Sequence, residues 1–202
     1  MRDELRPFRS PAVWGALATT AIGFGGLFAS FTYISPLLTT LTGFPESALT
    51  WLLMIYGAGL VVGNWAGGRA ADRYPNATIT VLLVLLLTGL IAQSLPAPFP
   101  APTIVMLFVI GAAGFGLIAP LQNRVLSVAG DAATMISTAN IAAFNLGATL
   151  ASLAGAATLN AGLGYAGAAM TLIGLVIFSV TRRAGRVLPG RGPVPEQGAD
   201  RR

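Results

Sequence analysis

Six stretches of this chain run for about the length of a bilayer-spanning helix without one Asp, Glu, Lys, Arg or His: residues 12–38, 48–67, 77–95, 103–121, 132–159 and 165–181. A helix rises about 1.5 Å per residue, so about 20 mainly apolar residues cross the hydrocarbon core of a membrane. One such stretch alone would also suit the central helix of a large soluble protein. Six in succession, with no amphipathic helix between them, leave nothing to build a wetted surface. Charged residues make up only 9% of the chain, against roughly a quarter in soluble domains. The expected fold is all-α and integral to the membrane, with six transmembrane helices satisfying their own backbone hydrogen bonds.

Direction follows from the arginines, because the chain has no lysine. Arg2, Arg6 and Arg9 precede the first stretch; Arg69 and Arg73 separate the second from the third; Arg124 separates the fourth from the fifth; six more follow the sixth. With six crossings, every one lies on the same side. The opposite connections, residues 39–47, 96–102 and 160–164, carry the single charge Glu46. Cationic residues stay cytosolic during insertion, which predicts both termini in the cytosol and a multi-pass protein of the inner (plasma) membrane. The net charge of +5 is then a cytosolic fringe, and no nucleic-acid partner is expected.

Chemistry is constrained by what is missing. Without cysteine or histidine there is no disulfide, thiolate site or imidazole base, and no nucleophile–base pair or metal-ligand cluster can be assembled. No enzymatic activity, cofactor or metal is expected. Residues 1–11 have the polar character of a linker, residues 12–183 form the six-helix domain, and the proline- and arginine-rich residues 184–202 have the composition of a disordered cytosolic tail. The first and fourth stretches share a pattern, glycine-rich early with a proline near the end (Pro36 and Pro120). Three helices apart, such copies cross in opposite senses, an inverted 3+3 repeat.

The segment Gly59–Asn76, "GLVVGNWAGGRAADRYPN", holds two signals. Gly59, Gly63 and Gly67 recur every fourth residue and so share one helix face, which admits another helix at backbone distance. Behind them, Gly68-Arg69-Ala70-Ala71-Asp72-Arg73 reads as a tight cytosolic turn with an acid beside a base. Its spacing, Gly-x-x-x-Asp-Arg, resembles the cytoplasmic signature loop of the major facilitator superfamily (MFS). "GFGGLFASFTYISPLLTTLTGFPESALTWLLMIYGAGLVVGN" and "APLQNRVLSVAGDAATMISTANIAAFNLGATLASLAG" are similar to the seventh–eighth and tenth–eleventh helices of its arabinose-efflux and drug/proton-antiporter members. Pro75 stands where the signature has its second glycine, and Asn76-Ala77 where it has a basic pair.

The resemblance covers the C-terminal six-helix half of such a transporter. It implies efflux of a small-molecule substrate by alternating access, with a missing N-terminal half, or a second copy of the chain, completing the site. It further implies that Gly68, Asp72 and Arg73 gate the conformational change, the carboxylate meeting a neighbouring helix terminus. The polar residues Tyr33, Asn140 and Asn145 at membrane depth are candidates to line the substrate path, since polar groups in lipid seek partners or a cavity; helix-to-helix hydrogen bonding is the competing role for each. A truncated product or scaffold without transport of its own would keep the same helices.

Overall fold

The computed structural model describes residues 6–94, 100–158 and 163–187, and all regular structure among them is helical. Six helices are long and apolar enough to span a membrane: α1 (Pro11–Phe31), α2 (Glu46–Arg73), α3 (Pro75–Gln93), α4 (Ala101–Ser127), α5 (Ala133–Ala157) and α6 (Gly164–Arg183). Residues 1–5, 95–99, 159–162 and 188–202 lie outside the described residues, and with them part of the linker-like start and most of the expected tail. Helical backbone continues past α6 to Val187, so residues 184–187, expected in the tail, begin as helix. Cationic side chains such as Arg182 and Arg183 complement the negative end of a helix dipole.

Two prolines interrupt two helices in the same way. A proline offers no N–H and its ring presses on the carbonyl four residues earlier. Ahead of Pro36 the helix breaks at Thr32–Tyr33, where Tyr33 has φ −112° and ψ 24°, before a further short helical piece at Ile34–Pro36. Ahead of Pro120 the break falls at Leu117, between Pro100–Gly116 and Ile118–Ser127. α1 is also widened over Thr19–Phe24 into π-helical turns. The Thr19 hydroxyl there donates to the Gly15 carbonyl at 2.7 Å, the back-bonding that bends helices.

Packing obeys the inverted repeat. α2 lies on α4 and, correspondingly, α5 lies on α1; α3 lies on α4 as α6 lies on α1; α3 and α6 pack on each other. Lipid tails are as apolar as leucine, so close van der Waals fit rather than water exclusion must hold such contacts. Small residues supply it. Gly59, Gly63 and Gly67 of α2 face the α4 backbone at Phe108, Ala112 and Gly116. A small-residue face on α5 repeats this, with Gly147 and Gly155 against Ala21 and Ala29 of α1, and Gly25 opposite Gly147.

The main core joins α1, α3, α4 and α6 through Leu27, Leu83, Leu86, Leu90, Leu107, Ile110, Leu117 and Phe178. α2 and α5 flank it and stay open along one side. Trp51, Met54, Val61 and Trp65 of α2 and Ile141, Leu146 and Leu153 of α5 are all more than half exposed. Such a surface is compatible only with lipid or with another apolar protein face.

Candidate functional site

The break at Tyr33 sets a polar cleft against α5. The Tyr33 hydroxyl donates to the Ser152 carbonyl at 3.2 Å, and the Thr32 and Ser152 hydroxyls are bonded at 2.8 Å. A cavity of about 380 Å³ opens here, lined by Tyr33, Ala148, Thr149, Ser152 and Leu153. Pro36 is not among the lining residues and acts on the cleft only through the break ahead of it, which places Tyr33.

Asn145 lies one turn from Thr149 on the same exposed side of α5. Its Nδ2 donates to the Ile141 carbonyl at 2.9 Å and its own carbonyl accepts from the Thr149 hydroxyl at 3.0 Å. Thr138 continues the row toward the other end. Thr138, Asn145, Thr149 and Ser152 are spaced by seven, four and three residues, the spacing of one helix face. Thr149 and Ser152 are absent from the sequence-derived candidates. That periodicity was their only signal, and isolated hydroxyls in apolar helices usually bond their own backbone, as these also do.

Asn140 stands apart from this row. It is fully buried, and its Nδ2 donates to Gln122 Oε1 at 2.7 Å while Gln122 Nε2 donates to the Ser137 hydroxyl at 2.7 Å. The three side chains clasp α4 to α5. Asn140 Oδ1 is buried without a partner among the described residues. Of the three expected lining residues, Tyr33 and Asn145 thus share the open side of α5, and Asn140 faces the interior. A matching polar tie joins α1 to α3, where the Ser30 hydroxyl donates to Gln93 Oε1 at 2.7 Å.

The signature segment differs from the expected tight turn. Residues 68–73 are helical, forming the last turns of α2, which ends at Arg73. Alanines at 70 and 71 favour helix, and an arginine in the last turn suits the dipole. Reversal is left to Tyr74 alone (φ −136°, ψ 61°), after which Pro75 opens α3. Asp72 and Arg73 are exposed, and the Gly68 backbone approaches α4 loosely, a Cβ there meeting only Ala119 Cβ at 3.9 Å.

α4 likewise runs on to Ser127, past the expected end near Leu121. Arg124 does not extend freely outward: its Nη2 donates to the Thr181 hydroxyl at 2.8 Å and its guanidinium lies 4.6 Å over the Phe178 ring. This cation–π contact and hydrogen bond tie α4 to α6. No group of three or more His, Cys, Asp or Glu that could hold a metal occurs among the described residues.

Comparison with known proteins agrees with the geometry. Residues 3–152 match the family model of the Major Facilitator Superfamily. The chain is 40% identical over 165 residues to "Inner membrane transport protein YdhP" of Escherichia coli, covering 82% of this chain and 42% of that protein. It is 35% identical over 159 residues to "Chloramphenicol resistance protein" of Streptomyces lividans, covering 79% of this chain and 41% of that one. A Haemophilus influenzae protein named "Probable sugar efflux transporter" is 31% identical over 179 residues, covering 86% and 44%. The chain therefore spans less than half the length of these relatives. Six apolar helices in an inverted repeat, broken at paired prolines and matched over this length, make the chain a multi-pass membrane protein belonging to the Major Facilitator Superfamily.

Proposed function

We propose that this chain forms the C-terminal six-helix half of an inner-membrane efflux transporter for a small solute, working by alternating access with both termini in the cytosol. The observation that carries the proposal is the open side of α5. It presents hydroxyls and a carboxamide (Thr138, Asn145, Thr149, and Ser152 with Tyr33) in an otherwise apolar helix, beside a cavity. Polar groups at membrane depth belong on a water-filled path or against protein, not lipid. A second six-helix unit facing α2 and α5 would turn this open row into one wall of a midplane site. The segment aligned to YdhP amounts to 42% of that protein, which leaves room there for such a unit. Because the row holds no ionisable group other than Tyr33, its contacts to solute are uncharged hydrogen bonds, and any proton carrier sits on the opposite wall.

In this assembly Gly68, Asp72 and Arg73 act at the cytosolic face. Asp72, exposed at the end of α2, meets a helix terminus of the facing unit in one state and releases it in the other; a carboxylate at a helix N-terminus is worth about 0.3–1 kcal/mol at a surface. Relatives named for chloramphenicol resistance and sugar efflux support efflux as the direction. Reconstitution provides the test. Liposomes carrying the complete assembly should show saturable transport of at least one among labelled sugars, nucleosides and chloramphenicol. Asn145→Leu and Thr149→Val should each lower it while leaving insertion unchanged. Wild-type rates in both variants would remove α5 from the solute path. Saturable transport by this chain alone would replace the heterologous half with a second copy.

A further inference from the structure

A second cavity has a different character from the site above. It is a groove of about 480 Å³ between α2 and α3, floored by α4, with walls including Val62, Ala66, Ala70, Val81, Leu85 and Phe108. Its volume lies within the roughly 300–1,000 Å³ of small-molecule sites, yet its walls are almost wholly apolar. It opens on the side of α2 that borders α3, whereas the polar cleft lies between α5 and the segment following α1. The wall on α2 runs from Val62 to Tyr74, about 18 Å at 1.5 Å per residue. One leaflet of the hydrocarbon core is about 15 Å deep.

Charge marks one end of the groove. At about 100° per residue, Arg73 falls within the arc of α2 that Val62, Ala66, Ala70 and Tyr74 occupy, and Arg69 falls at its edge. Asp72 is three residues from Arg69 and about 60° from it round the helix, so it offsets Arg69 in part, but it lies about 100° from Arg73 and leaves that charge facing the groove. Arg69, Arg73 and Tyr74 are all exposed. The first turn of α3 closes the same end, with Ala77 and Thr78 in the wall. The groove is thus apolar along a leaflet's depth and cationic where the headgroups lie.

We infer that the groove between α2 and α3 is a binding site for an anionic phospholipid, one acyl chain lying along Val62–Tyr74 and the phosphate held by Arg73, with Arg69 beside it. Charge complementarity selects a lipid over a free apolar solute, and the groove's depth selects a chain over a headgroup alone. The same bound lipid would rest against the signature segment, so its occupancy would be felt where α2 meets α3.

Native mass spectrometry of the full chain released from detergent tests this directly, titrating in phosphatidylglycerol, phosphatidylcholine or glycerol phosphate. One phosphatidylglycerol should be retained about fivefold more tightly than phosphatidylcholine, the effect of roughly one arginine near a headgroup, and glycerol phosphate should not be retained. Arg73→Gln should abolish that preference while leaving phosphatidylcholine retention unchanged. Ala66→Phe, which fills the groove, should weaken both lipids. Circular dichroism of each variant confirms that the helices are intact. Equal retention of the two lipids by the wild-type chain, or unaltered lipid retention in a folded Ala66→Phe variant, would overturn the site. None of these readouts depends on transport.

Discussion

Adding one methyl group at Gly63 should do more damage than its size suggests. A Cβ built there would stand 2.6 Å from the Ala112 carbonyl carbon, with the Ala112 oxygen closer still, where ordinary contact needs 3.4–4 Å. The obstacle is backbone, so no rotamer change relieves it and α4 must retreat by about 1 Å, a gap that forfeits a quarter to a half of each pairwise attraction across it. Gly59 against Phe108 and Gly67 against Gly116 loosen together, because the helices move as rods. Overpacking of this kind costs about 1–3 kcal/mol, and the shared loosening places Gly63→Ala toward the upper end. At about 2–4 °C per kcal/mol for a chain of this size, the melting temperature in detergent should fall by about 5–10 °C. Gly57→Ala is the control: on the same helix, a Cβ there meets nothing within 4 Å, so that variant should melt at or slightly above wild type. Thermal denaturation followed by size-exclusion fluorescence on a tagged chain measures both. A Gly63→Ala protein as stable as Gly57→Ala would mean that α2 and α4 do not meet at backbone distance.

Other expectations concern separate parts of the molecule. The repeat predicts that Gly147→Ala, whose Cβ would fall 2.8 Å from the Ala21 carbonyl carbon, destabilises the α1–α5 pair by a similar 1–3 kcal/mol; a neutral Gly147→Ala in the same melt would break the correspondence. Asn140→Leu should cost about 1–3 kcal/mol because it strands the Gln122 carboxamide in the interior, whereas Asn145→Leu, on the open face, should leave the melting temperature unchanged; equal melts would contradict their placement. Since the native chain lacks cysteine, Ser47→Cys should react with an impermeant thiol reagent outside intact cells and Gly190→Cys only after the membrane is opened, and the reverse pattern would invert the topology. Asp72→Asn should slow transport by the complete assembly at unchanged membrane levels, which quantitative blotting beside a flux assay measures; a full rate would leave Asp72 as a solvated helix end.

Much of the fold was legible in the sequence because a bilayer imposes its conditions on each helix separately. A segment crosses if it is long and free of charge, whatever its neighbours do, so residues 48–67 and 77–95 announce themselves as spans. Proline is equally local: Pro36 and Pro120 disturb the carbonyl four residues back in any context, and both breaks lie where that rule puts them. Span ends were less legible. α2 continues to Arg73 and α4 to Ser127, because arginines and alanines past the apolar core continue a helix at no cost once they reach the headgroups.

The partners of each face were settled only by the tertiary structure. Gly59, Gly63 and Gly67 promised a close contact without naming α4, since a small-residue face fits any other small face. Asn140 and Asn145 are chemically identical and five residues apart, about 140° round the helix. That angle has no meaning until α4 covers one side of α5 and supplies Gln122 to the first asparagine, leaving the second with Thr149 on the open side. Composition and spacing determined that this chain spans the membrane six times; which polar group became a clasp between helices and which stayed on the open side depended on contacts between residues 18 to 120 positions apart, and no local pattern encodes those.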